Sequence, residues 1–569
     1  MSTLKSTRSE ARKYGRQTVS RVTRLLVSGI AASALLAAVA VGDLPTRNVT
    51  AAGSTAMLKG NLAITDLKRR GAYDSLVKRV NDDRMASARD DFASPEAALV
   101  FGGSTKIQAG DGIAGDQFGG SVAIAGTTVI VGANANAATA GGTGSAYIYV
   151  LTGGSWTLQQ KLTASDGERD DAFGSHVAIS GDTALVGAFG DAVGTNVNQG
   201  SAYVFVRTGT TWTQQQKLTA TGGAANDIFG RSVAIAGDSI VVGAAASAVT
   251  TNVYQGAVYV FLRTGTTWAQ QAKLTAGDGA ASDYFGDSVA IAGDTVVVGA
   301  TEDATGTNSR QGSAYVFVRS GTTWTQQSKL TAGDGTPEDY FGFSVAVAGD
   351  TAVVGTLQDV GANFQQGSAY VFVRTGTAWT QQQKLAASDG AANDSFGNSV
   401  SVLGDTVMIG AAGDANGTNV RQGSAYLFTR AGTTWTQTQK LVAADGAPED
   451  SFGAGVAFTT NNAIVGSIGD TIGANTFQGS AYIFSSDVTI SGKVTTPSGQ
   501  NLRNAVVSMI DASGLKRTAT TSSFGLYSFE GVRTGETYTL TVGSKRYRFS
   551  PKVLQIDAAL ANLDFVGLE

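Results

Sequence analysis

The sequence predicts an all-β protein: a seven-bladed β-propeller whose N-terminal strand closes the last blade, followed by a small Ig-like or prealbumin-like β-sandwich. Three observations predict it. Phe-Gly recurs at Phe118, Phe173, Phe229, Phe285, Phe341, Phe396 and Phe452, in steps of 55 or 56 residues, and a fixed period of that size marks a repeat architecture. Each period holds four strand-like runs divided by Gly-based turns. Trp recurs at Trp156, Trp212, Trp268, Trp324, Trp379 and Trp435, one time fewer than Phe-Gly.

The four runs differ as the strands of a radial blade should. In the fourth unit the first run, Ser288 to Ala292, mixes small and large apolar residues and suits a crowded hub. The second, Thr295 to Val298, is continuously β-branched, so both its faces should be buried. The third is Ala314 to Val318. The fourth, Trp324 to Leu330, is half polar and carries Lys329, as an exposed edge strand should. The order is therefore hub to rim. Gly293-Asp294 joins runs one and two, and Ser320-Gly321 joins runs three and four.

The missing seventh Trp strand lies at the other end of the propeller. Each Trp precedes a Lys by five residues, as Trp324 precedes Lys329. Before the first Phe-Gly stands Phe101, followed in the same register by Lys106-Ile107. That segment is expected to complete the seventh blade and leave no free edge.

These repeats resemble the FG-GAP family, found in integrin alpha-subunit propellers and bacterial surface proteins. The match is carried by Phe285-Gly286 with Gly299-Ala300 and their equivalents over residues 99–486. The resemblance implies a seven-bladed propeller used for adhesion or ligand binding. Calcium in that family sits in acidic loops between strands one and two. Here that connection is a tight Gly-Asp turn (Asp182, Asp238, Asp294, Asp350, Asp405), too short for the six or more oxygens calcium takes. The family's calcium residues therefore do not carry over.

An acidic loop precedes every Phe-Gly. Asp116, Asp171, Asp227, Asp283, Asp339, Asp394 and Asp450 stand two residues before the Phe. A second Asp stands five residues earlier at 111, 166, 278, 334, 389 and 445, with Gly222 in its place in the third unit. A feature common to all blades reads first as architecture, the carboxylates accepting backbone N–H groups. As a minority reading Asp166, Asp171, Asp278, Asp283, Asp334 and Asp339 are weak metal candidates, with calcium the one cofactor considered. Strand direction puts the blade-joining loops and the second-to-third-strand loops on one face. Glu168, Asp170, Asp191, Glu302, Asp303, Glu338 and Asp414 make that face acidic and are the ligand-face candidates. The opposite face should be basic, through Arg207, Arg263, Arg319, Arg374 and Arg430. The lone imidazole, His176, replaces a Ser found in most units and reads as packing variation.

Composition narrows the function. In 569 residues there is no Cys and one His, against 74 Gly and 6 Pro. Thiol chemistry and catalysis by several imidazoles are excluded. The net charge of −4, without a basic stripe, argues against nucleic acid. Residues 1–40 have a basic leader, an uncharged run from Leu25 to Val41 and Ala38-Val39-Ala40 as a cleavage signature, which predicts a signal peptide. The alternative is an uncleaved anchor, the one expected route to a membrane. Residues 41–98 read as a linker with a short amphipathic helix.

From residue 487 to 569 the period stops but strands continue, as in Val488–Val494, Ala505–Met509, Tyr527–Phe529 and Tyr538–Val542. Ile490-Ser-Gly-Lys-Val494, Asn504-Ala-Val-Val507, the Gly525–Phe529 core and Lys545–Pro551 are similar to the carboxypeptidase regulatory-like family. That resemblance implies a transthyretin-like sandwich, also described as a carbohydrate-binding-like fold, used as a spacer or attachment module. The whole predicts a secreted or cell-surface recognition protein, bacterial in type, that binds an extracellular protein or glycan through propeller loops and is no enzyme. A secreted hydrolase or lyase with a site on one face, and a structural envelope component, are the alternatives.

Overall fold

The computed structural model describes residues 99–568 except 135–141, 153–154, 358–363, 513, 535 and 557–559. The expected signal peptide and the linker helix lie outside the described residues.

Seven four-stranded antiparallel blades form, each with the predicted order from hub to rim. Blade 4 shows the plan. Its inner strand is Phe285–Ala292, followed by Thr295–Ala300, Ser313–Ser320 and the outer Thr323–Leu330. Thr295–Ala300 is buried along its whole length, as its β-branched run requires. The outer strand is exposed or half-buried at every residue up to Leu330, which is buried.

The seventh blade is completed by the N-terminal segment. The strand Phe101–Ile107 pairs antiparallel with Ser480–Thr495, with Phe101 opposite Ser486 and Lys106 opposite Tyr482. In blade 4, Trp324 stands opposite Arg319 and Lys329 opposite Tyr315, so Phe101 holds the Trp place in the ladder. The hub closes as well. The Phe118 N–H donates to the Gln478 carbonyl at 2.9 Å, just as the Phe341 N–H donates to the Gln311 carbonyl at the seam of blades 4 and 5.

Two short motifs explain how the blades approach so closely. The Gly in the second strand of each blade faces the Gly of the next Phe-Gly. A Cβ on Gly299 would lie 2.0 Å from the Gly342 carbonyl oxygen, and one on Gly466 would lie 1.8 Å from that of Gly119 across the closing seam. The Phe is fully buried and meets Tyr and Phe rings of its own third strand edge-on, as Phe285 meets Tyr315 and Phe317 with centroids 5.4 and 5.9 Å apart. Burying such a ring contributes about 2–3 kcal/mol. The polar outer strands do more than protect an edge. Gln216 accepts from the Trp268 N–H and donates to its carbonyl, both at 2.8 Å, and Gln439 makes the same pair with Phe101.

Ser480–Thr495 passes without interruption from blade 7 into the C-terminal sandwich. Its second half pairs with Leu526–Arg533 and Phe565–Val566. The facing sheet comprises Lys516–Thr520, Val506–Ile510, Glu536–Gly543 and Lys552–Ile556. Ile490, Val507, Phe529, Leu540 and Phe565 fill the space between them. The turn at Thr534 docks on the propeller: its hydroxyl donates to the Asn461 carbonyl at 3.1 Å and its N–H to the Ser486 carbonyl at 3.1 Å.

Candidate binding face of the propeller

The loops before the inner strands are fixed by their own carboxylates. Asp171 Oδ2 accepts the Glu168 N–H at 2.6 Å, and Asp116, Asp227, Asp283, Asp339, Asp394 and Asp450 each accept the N–H three residues earlier. Burial pushes Asp283 up to about 6, helped by the nearby Asp303 charge. The second row does different work. Asp278 accepts the Tyr315 hydroxyl at 3.0 Å and the Lys329 ammonium at 2.7 Å. Burial opposes ionisation there, but these two partners hold the carboxyl below its ordinary range. Asp166 and Asp334 are placed identically against Lys217 and Lys384.

These donors do not fit calcium. The metal candidates Asp166, Asp278 and Asp334 each bond a lysine, while Asp171, Asp283 and Asp339 hold backbone N–H groups. Among the described residues no three acidic or imidazole side chains converge on one point.

The ligand-face candidates divide. Glu168, Asp170 and Glu338 are exposed, and Glu302 is half-buried, 3.5 Å from Arg310. Asp191, Asp303 and Asp414 are buried instead, each 2.7 Å from a lysine ammonium: Lys217, Lys329 and Lys440. They belong to the wall of the blade because the outer-strand Lys needs a second counter-charge inside it. The expected basic face is also corrected. Arg319 donates to Asp294 at 2.7 Å and lies over the Trp324 ring, and Arg207, Arg263, Arg374 and Arg430 repeat the arrangement. Each Gly-Asp turn lies at the same end of its blade as the Arg that ends the third strand, so that charge is neutralised one for one. On the opposite, blade-joining face the loops between strands two and three present apolar tips that the charge pattern did not suggest: Val197, Val253, Phe364, Val420 and Phe477 are all exposed.

At the centre of this face the inner strands surround a cavity of about 500 Å³. The residue after each Phe-Gly is Gly120, Ser175, Arg231, Asp287, Phe343, Asn398 and Ala454, seven different side chains in one register. All but Ser175 line the cavity, with His176 and the Ser row one residue further on. Arg231 reaches across one seam to Asp287 at 3.1 Å. Asn398 donates to the Gly453 and Ala454 carbonyls at 3.1 Å and accepts the Ala412 N–H. Phe343 stands half-buried in the wall.

The Ser row stitches neighbouring blades. Ser232, Ser288 and Ser344 donate to the carbonyls of Gly286, Gly342 and Gly397 at 2.7 Å. His176 interrupts the row, and its Nδ1 is buried without a hydrogen-bond partner. Burial pushes this imidazole down to about 3, with the Arg231 charge adding to it. The seven-residue register was visible in the sequence as the one column that differs in every repeat, but only the ring brings its members together.

A closed ring of blades with a graded hub and a loop-bearing face defines a ligand-binding β-propeller, here joined to a transthyretin-like sandwich. Residues 102–149, 156–205, 212–261, 268–317, 324–372, 379–428 and 435–484 match the FG-GAP repeat, more than half of the chain, which belongs to that family. Residues 489–565 match the carboxypeptidase regulatory-like domain. No curated protein matches the chain. Both families are non-catalytic scaffolds that bind a ligand or partner and are typically extracytoplasmic.

Proposed function

We propose that this chain is a secreted or cell-surface recognition protein whose propeller binds an extracellular protein or glycan at the mouth of the central cavity. The supporting observation is the register after Phe-Gly. A repeat under purely structural constraint would keep one residue there, as it keeps the Gly and Phe beside it. Instead the mouth combines a guanidinium, a carboxylate, a carboxamide and an aromatic face. Such convergent polar groups in a concave site fix a ligand's orientation, and the aromatic ring supplies apolar contact. Around them the exposed tips Val197, Val253, Phe364, Val420 and Phe477 and the acidic Glu168, Asp170 and Glu338 offer a rim for a larger partner. The sandwich then serves as the attachment or spacer module.

A glycan array and a pull-down from envelope extract, run with the wild-type chain and with the double variant Arg231→Ala/Asp287→Ala, test this reading. A ligand held by the wild type should be lost from the variant while its melting temperature stays close to the wild-type value. A ligand retained in full by the variant would place recognition elsewhere.

A further inference from the structure

Six blades share an arrangement that the third lacks. Asp111, Asp166, Asp278, Asp334, Asp389 and Asp445 each accept a third-strand Tyr hydroxyl at 2.7–3.1 Å on one oxygen. On the other oxygen each meets an outer-strand Lys ammonium at 2.6–2.8 Å. In blade 3 the Asp is replaced by Gly222. The second carboxylate that Lys217, Lys329, Lys440 and Lys106 receive, from Asp191, Asp303, Asp414 and Asp470, is replaced there by Ser247.

The receiving groups nevertheless remain in place. Tyr259 is fully buried, and its hydroxyl has no hydrogen-bond partner. Lys273 Nζ stands 5.4 Å from the centre of the Tyr259 ring, the pose Lys329 takes over Tyr315 at 5.2 Å, and it makes no ion pair among the described residues. An unpaired buried hydroxyl costs about 1–3 kcal/mol. Six sister blades avoid that cost with one carboxylate, and blade 3 does not. The turn takes a different path in blade 3: Gly222 has a φ of +75°, a left-handed conformation that none of the six aspartates adopts, and a Cβ built there would meet nothing within 4 Å. Access is from the lysine side: Lys273 is exposed, and in blade 4 the side chain of Asp278 is 52% exposed. The neighbouring Asp227 is already engaged, accepting the Ala224 N–H at 2.8 Å.

We infer that blade 3 carries a binding seat for an external carboxylate, with the Tyr259 hydroxyl donating to one of its oxygens and the Lys273 ammonium to the other. The bidentate arrangement copies the six internal carboxylates, and charge-assisted bonds of this kind are the strong ones. The seat lies at one blade only, so it gives a nearly symmetric ring a single oriented contact. The carboxylate can come from a small acid or from an acidic side chain of a protein partner.

The test is acylation of the full chain by a neutral N-hydroxysuccinimide ester, followed by peptide mass spectrometry of Lys273 and Lys329. Acetate, or a terminally blocked glutamyl peptide with its glutaminyl counterpart as control, is compared with chloride at equal ionic strength. Either carboxylate should slow labelling of Lys273 several-fold and leave Lys329 unchanged. Protection by acetate alone assigns the seat to small acids, and protection by the glutamyl but not the glutaminyl peptide assigns it to a partner's side chain. Gly222→Asp, in which the turn gives up the left-handed φ, should lower the reactivity of Lys273 towards that of Lys329, which keeps a second carboxylate in Asp303, and abolish the carboxylate effect. Tyr259→Phe should weaken the protection without lowering the melting temperature, whereas Tyr315→Phe should lower it. Labelling of Lys273 that is the same in carboxylate and chloride would overturn the proposal, as would equal protection of both lysines.

Discussion

The seams between blades and the mouth of the central cavity lie only a few residues apart in every repeat, yet they obey opposite rules. At the seams one solution is repeated. The approach of Gly299 to Gly342 recurs at all seven seams, while among the described residues the Ser288 bond to the Gly342 carbonyl recurs at three and the Gln216 clasp on Trp268 at four. At the mouth the residue that follows Phe-Gly differs in every blade. The contrast separates what holds the ring from what distinguishes its members. Stability in a repeat array is a sum of similar interfaces and favours uniformity, whereas orientation-specific binding needs groups that differ from one direction to another.

The contrast can be broken by substitution, and the effects should fall off from seam to mouth. Phe101→Ala removes the one aromatic that stands for a seventh Trp and packs edge-on to Phe458. It should cost about 3–5 kcal/mol in denaturant titration, as buried Phe truncations do. Gly299→Ala should cost about 3 kcal/mol, because the methyl group collides with a backbone carbonyl that cannot retreat without opening the seam. Gly120→Ala is the matched control at the mouth. Its Cβ would meet nothing closer than 3.5 Å, so its midpoint should stay within about 0.5 kcal/mol of wild type.

His176→Ser sharpens the comparison from the other side, by restoring the seam rule where the mouth has broken it. The introduced hydroxyl should donate to the Gly230 carbonyl as Ser232 does to Gly286, adding about 1 kcal/mol near neutral pH. The pH dependence follows from the imidazole. Its folded value is depressed to about 3 from 6.5, so below 6.5 the unfolded chain takes up a proton that the folded chain does not. Wild-type stability is therefore lost as pH falls from 6.5 towards 3. Melting curves at stepped pH should show the gap between variant and wild type widening through that window. A constant gap would show that the imidazole takes up its proton as readily in the folded ring as in the unfolded chain.

Much of this was legible in the sequence because repetition amplifies local signals. Four strands per period, their order from hub to rim and the closing role of Phe101 and Lys106 follow from alternation, β-branching and register, all short-range properties. The side-chain partners were less legible. Asp191, Asp303 and Asp414 read as exposed loop charges because nothing nearby in the chain marks the Lys that buries them; Lys217 follows Asp191 only after two further strands. The Arg at the end of strand three read as a free positive face because its Asp lies 24 or 25 residues earlier, across a hairpin. The polar outer strand read only as a protected edge, since the backbone its Gln clasps belongs to the next repeat.

The sequence alone determined the repeat count, the strand content of each blade and the need for an N-terminal strand to finish the seventh, because hydrophobic period and turn chemistry act over a few residues. Only the tertiary structure decided which charges are free. Closing the ring carries the Asp and Lys side chains into a common wall, gathers one variable column around a cavity and leaves Tyr259 and Lys273 without the carboxylate their counterparts hold. Those outcomes depend on distances between residues about 25 to 50 or more positions apart, and packing rather than local preference sets them.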